Sequence, residues 1–116
     1  MAVQQPVPPV PNPAGAPAYA AVGSADTIPV VPGGKYLLIV KNAGGSADLV
    51  EVLDQVTTNP VGAKTAGDFR ISISVPATTG ERHFFLDAGR FRDASGNINV
   101  THGFTTTVTC IVYGPF

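Results

Sequence analysis

The sequence predicts an all-β domain: a small antiparallel β-sandwich, Ig-like or jelly-roll-like, of six to eight strands behind an extended proline-rich N-terminal arm. Three observations predict it. Short runs rich in Val, Ile, Phe and Thr recur along the chain, and turn signals separate them about every 8 to 12 residues. One run alternates strictly: Phe69, Ile71, Ile73 and Val75 on one side, Arg70, Ser72 and Ser74 on the other, as a half-buried strand requires. No stretch sustains a capped 3.6-residue period, and residues 48–55 are the one place where a helical turn is tempting.

The expected domains are an arm over residues 1–25 and a sandwich over 26–116. The first 17 residues contain Pro6, Pro8, Pro9, Pro11, Pro13 and Pro17. Proline fixes φ and removes a donor, so helix and central strand are both excluded there, and the expectation is polyproline II or irregular chain. Val3, Val7, Val10 and Tyr19 make this segment more apolar than a linker needs. Two readings stand: a disordered tail, or an arm that lies on a neighbouring subunit, for which Val3, Pro6, Val7, Pro8, Pro9, Val10, Pro11 and Tyr19 are the candidate contact residues. A stiffened arm loses little entropy on docking. The P-x-x-P match at residues 6–9 lacks the basic flank of an SH3 ligand.

The sandwich should open with a short edge strand at residues 27–31, since Pro29 cannot serve a central ladder, followed by a turn at Pro32-Gly33-Gly34. Residues 35–52, KYLLIVKNAGGSADLVEV, read as a β-hairpin: Tyr36 to Val40 and Leu49 to Leu53 flank an Asn/Gly/Ser apex, where Gly44 and Gly45 can take positive φ. A Thr/Gly loop occupies residues 57–68, and strands follow at 69–75, 81–87, 97–102 and 105–113. Phe84 and Leu86 share one face of the 81–87 strand, opposed by His83 and Phe85. Residues 88–93 are a short connection, and Asp93-Ala94-Ser95-Gly96-Asn97 is a strong turn.

Composition narrows the function. The chain has 116 residues, a formal charge of −1 and 13% charged residues. It has neither the basic stripe of a nucleic-acid binder nor a polybasic membrane signal. Its 44% hydrophobic content fits either a well-filled sandwich core or surface shared with a partner, self-association included. No signal peptide or membrane-length apolar run is read. The single cysteine, Cys110, lies in an apolar strand pattern and reads as a small buried hydrophobe.

No residue pattern supports catalysis, a cofactor or a metal. His83 and His102 are too few for a zinc site and read as structural or solvated. Gly33-Gly34-Lys35 lacks the spacing of a phosphate loop. Asp87, Asp93, Asn97 and Asn99 lack the spacing of a calcium loop, and Asx side chains in turns bond their own backbone. Asn99-Val100-Thr101 fits a glycosylation acceptor by pattern only. Arg82, Arg90 and Arg92 are offset by Glu81, Asp87 and Asp93, as on a mixed-charge rim.

Residues 33–52, GGKYLLIVKNAGGSADLVEV, resemble the G-x-x-Y-L-x-V-K-N-G-G segment of small β-sandwich head decoration proteins of tailed bacteriophages. Residues 84–100, with Phe91, Asp93, Ala94, Ser95, Gly96, Asn97, Ile98 and Val100, resemble their second block, and Thr107 to Val112 their last strand. The similarity covers about residues 27–113 and leaves out the arm and the 57–68 loop. It implies a non-enzymatic virion protein on the outer capsid surface. Its expected partners are the major capsid protein and copies of itself, as a trimer by family habit. The alternative is a tail or head–tail component, or an adhesin that stacks host glycans on Tyr19, Phe91 or Phe104.

Overall fold

The computed structural model describes residues 2–6, 19–55 and 69–116. Among them, seven strands of five residues or more form a sandwich: β3 (Ala25–Pro29), β4 (Lys35–Asn42), β5 (Asp48–Asp54), β6 (Phe69–Val75), β7 (Gly80–Asp87), β8 (Asn97–His102) and β9 (Val108–Tyr113). Two two-residue strands, β1 (Ala2–Val3) and β2 (Ala20–Ala21), extend its sheets. One sheet runs β1-β3-β8-β5-β6 and the other β2-β9-β4-β7. Every pairing is antiparallel except β1 with β3. The expected all-β sandwich is therefore present.

The period-two pattern fills the space between the sheets. Ile28, Val50, Val52, Val75, Ile98 and Val100 come from one side, and Tyr36, Leu38, Val40, Phe84, Leu86, Val108 and Val112 from the other. Burying such a side chain contributes about 1.5–3 kcal/mol. The phenol oxygen of the buried Tyr36 accepts from the Val31 amide at 2.9 Å, which satisfies its polar end. Cys110 lies in this core, as expected.

Residues 35–54 are not a hairpin. β4 pairs with β7 and β9, whereas β5 pairs with β6 and β8, so residues 43–47 carry the chain from one sheet to the other. Neither Gly44 nor Gly45 has positive φ. The crossing depends on contacts distant in sequence. Buried Asn42 donates from Nδ2 to the Ser46 (2.8 Å) and Val75 (3.2 Å) carbonyls, and its Oδ1 accepts from the Gly44 amide at 2.9 Å. A Cβ on Gly44 would meet Phe104 Cε2 and the Thr106 carbonyl oxygen at 2.4 Å, so Gly44 is required for space. Two neighbouring turns lock on: Thr78 N–H donates to Gly44 O at 2.8 Å, and Ala43 N–H to Thr107 O at 3.1 Å. Both threonines are left-handed (φ 74° and 55°), a costly conformation for a β-branched residue that these contacts hold in place.

Two smaller differences have local causes. The 88–93 connection contains a one-turn helix, α1 (Ala88–Phe91), capped by Asp87, whose side chain accepts from the Gly89 amide. β3 is not an edge strand, because β1 lies outside it. The parallel ladder ends at Pro29: Gln4 N–H donates to Thr27 O at 2.8 Å, and the next bond would need an N–H from Pro29. β1 and β2 also belong to the two sheets, so the sandwich recruits residues from both sides of the expected 25/26 boundary. The 57–68 loop lies outside the described residues.

The crossing yields a paired test. Gly44→Ala should lower the urea midpoint by the equivalent of about 1–3 kcal/mol, the usual cost of overpacking. Gly45→Ala, with nothing within 4 Å of the new methyl, should stay within about 0.5 kcal/mol of the parent. Equal midpoints for the two variants would contradict the packing at Gly44.

Candidate functional site

Two features stand out: a root that ties the N-terminal segment into the sandwich, and an apolar outer sheet face. The root begins with three polar residues on the inward phase of their strands. Asp26 shares that phase with Ile28, Asp48 with Val50 and Val52, and His102 with Ile98 and Val100. All three are buried. His102 Nδ1 lies 2.6 Å from Asp48 Oδ2, and its Nε2 lies 3.8 Å from Asp26 Oδ2. Asp48 Oδ1 accepts from the Phe104 amide (3.1 Å) and Asp26 Oδ1 from the Gly23 amide (2.9 Å). Gln4 Nε2 completes the set, donating to Asp26 Oδ2 at 3.1 Å and to the Ala21 carbonyl at 3.2 Å.

The root thus joins β1, β3, β5 and β8. Buried carboxylates are tolerated when donors meet them, and here an imidazole, two amides and a carboxamide do so. The negative charge of Asp26 also reaches Cys110. Burial first, and that charge second, push the Cys110 thiol up to about 12, so it is an inert core group.

Of the expected arm residues, Val3 sits on β1 with 53% of its surface exposed, and Pro6 is half-buried. Val7, Pro8, Pro9, Val10 and Pro11 lie outside the described residues. The Tyr19 ring lies 4.3 Å from Lys41 Nζ, a cation–π contact that holds it on the outer face of β4. The first described residues of the arm therefore pack on the chain's own sandwich, with Gln4 the buried anchor at 6% exposure.

The second feature is the outer face of the β2-β9-β4-β7 sheet. The register places Tyr113, Leu37 and Phe85 in one row, and Ile111, Ile39 and His83 in the next. Phe85 on the outermost strand is 79% exposed. Ion pairs border the row, Lys35–Asp87 at 3.1 Å and Lys41–Glu81 at 3.7 Å. Glu81 is held below its usual carboxylate range chiefly by the His83 hydrogen bond, and Asp87 by the Gly89 amide. Such exposed pairs contribute little to stability.

The aromatics suggested for glycan stacking are mostly unavailable, since Phe91 is buried and Phe104 packs against the core. The 93–97 turn forms as expected: Asp93 Oδ1 accepts from the Ser95 and Asn97 amides, Oδ2 accepts from Asn99 Nδ2, and Gly96 has φ 87°. Burial raises the Asp93 pKa, but these bonds outweigh it and hold the carboxyl below its usual range. Arg90 pairs with Asp54 and lies over Phe91. Among the described residues no group of three His, Cys, Asp or Glu is arranged to hold a metal, and no helix is long and apolar enough to cross a membrane.

His102→Ala should destabilise the fold by about 3 kcal/mol or more, because it leaves Asp48 and Asp26 buried without the imidazole. It should also speed proteolytic clipping at the N-terminus. Chemical denaturation with timed proteolysis measures both, and an unchanged midpoint would contradict the root. The chain matches no protein-family model, and comparison with curated proteins and with solved structures finds no match.

Proposed function

We propose that this chain is a virion structural protein: a decoration, or cement, protein that binds the outer surface of an assembled phage head and stabilises the shell. The observation that carries the reading is the anchored N-terminal strand. β1 displays Val3 to solvent while Gln4 fastens it to Asp26, and the proline-rich stretch follows directly in the sequence. A segment held at its root on a rigid sandwich suits bridging between neighbouring capsid subunits. Each bridge adds binding energy only in the assembled shell, so mass action favours that state. The motif resemblance at residues 33–52 and 84–100 supports the same reading, and the outer face around Phe85 offers a further contact area.

The test is occupancy on purified heads. Deleting residues 1–17 should abolish stable binding. Because that deletion also removes Gln4, Val3→Asp serves as the milder variant: it should keep the parent's unfolding midpoint and lower occupancy about tenfold or more. Parent-like occupancy of both variants would sink the arm's role, and density on the tail alone would reject the head assignment.

A further inference from the structure

We propose that β7 is a homotypic interface, its open edge pairing antiparallel with β7 of a second copy about a two-fold axis through Phe85. β7 is the eight-residue outermost strand of its sheet, and no described residue pairs with its outer edge. Long open edges of this kind are covered or blunted in stable proteins.

The backbone says which groups are open. Phe116 N–H donates to Lys35 O at 3.0 Å, so Lys35 turns its backbone groups toward the β9 side. By alternation, Tyr36, Leu38, Val40 and Asn42 turn theirs toward β7, where they face Leu86, Phe84, Arg82 and Gly80. Glu81, His83, Phe85 and Asp87 therefore direct their backbone groups to the open edge. The carbonyls at both ends of that edge are already engaged. The Arg82 guanidinium donates to the Glu81 carbonyl at 2.8 Å, and Asp87 caps α1, so its carbonyl turns to the first bond of the helix. The open carbonyls are those of His83 and Phe85, with the N–H groups of Phe85 and Asp87 beside them.

A second copy fits this pattern. With the axis at Phe85, the two Phe85 residues exchange bonds and each Asp87 N–H reaches the other copy's His83 carbonyl. His83 then lies opposite Asp87, a favourable pairing. An axis at Phe84 sets Glu81 against Asp87, like against like, and an axis at His83 sets Glu81 against Phe85. The Phe85-centred register also continues the Tyr113–Leu37–Phe85 row across the axis into the same row of the partner, covering the most exposed apolar side chain of the described core strands. The family resemblance suggested threefold assembly, whereas this edge is self-complementary only about a two-fold.

The test uses the purified full chain and is independent of the virion reading. Sedimentation should give a dimer for the parent, and Phe85→Asp should weaken self-association roughly tenfold or more with an unchanged unfolding midpoint. In the hydrogen-bonded pair the two Phe85 Cα atoms lie about 5.5 Å apart, within disulfide reach. Phe85→Cys should then cross-link on mild oxidation, while the buried Cys110 stays silent. His83→Cys should not cross-link, because its two copies lie about 13 Å apart in this register. A monomeric parent, a dimer that survives Phe85→Asp, or cross-linking of His83→Cys as fast as Phe85→Cys would overturn the proposal. Parent monomers that bind heads through Phe85 would instead assign the edge to a capsid strand.

Discussion

The imidazole of His102, held between Asp48 and Asp26, is the contact on which the rest of this sandwich depends. It sits beside the point where the chain crosses from β4 to β5, and it ties together β3, β8 and β5 of one sheet while giving a buried carboxylate a partner. Phe104 links the two roles. Its amide donates to Asp48, and its ring occupies the space that Gly44 leaves open. An apolar set of the same volume could be as stable, but it would not hold Gln4. The polar choice ties the first residues of the chain to the centre of the fold.

That tie changes the meaning of the proline-rich N-terminus. Gln4 is the one buried side chain described between residues 3 and 6, and it reaches both Asp26 and the Ala21 carbonyl of β2. β1 and β2 belong to different sheets, so the segment between them starts on one layer and ends on the other.

Much of the architecture was legible in the alternation of apolar residues. The inward phases of β6, β7 and β8 follow from one residue in two, and the 93–97 turn follows from Asp93 and Gly96, whereas the unbroken apolar run at residues 36–40 hides the phase of β4. Sheet membership was not legible. Asn42, Gly44 and Gly45 carry hairpin chemistry, but Val75, Phe104 and Thr106 decide that the chain crosses over, and all three are at least 30 residues away. The four-residue α1 is too short for any helical period to register. The root did leave a signal: Asp26, Asp48 and His102 each occupy the buried phase of an apolar strand, where a charged residue needs a partner. Nothing in the sequence marks Gln4 as that partner, because its neighbours Val3 and Gln5 are exposed and the parallel pairing is two residues long.

The most direct test of the root is amide hydrogen exchange, read residue by residue in the intact chain. The Gln4 N–H, bonded to Thr27 O beside a buried side chain, should exchange on the order of a hundredfold or more slowly than the Gln5 N–H next to it, as expected for a bond opened only by local unfolding. Equal, unprotected exchange at the two positions would contradict a strand anchored at Asp26 and, with it, the account of how the N-terminal segment joins the fold.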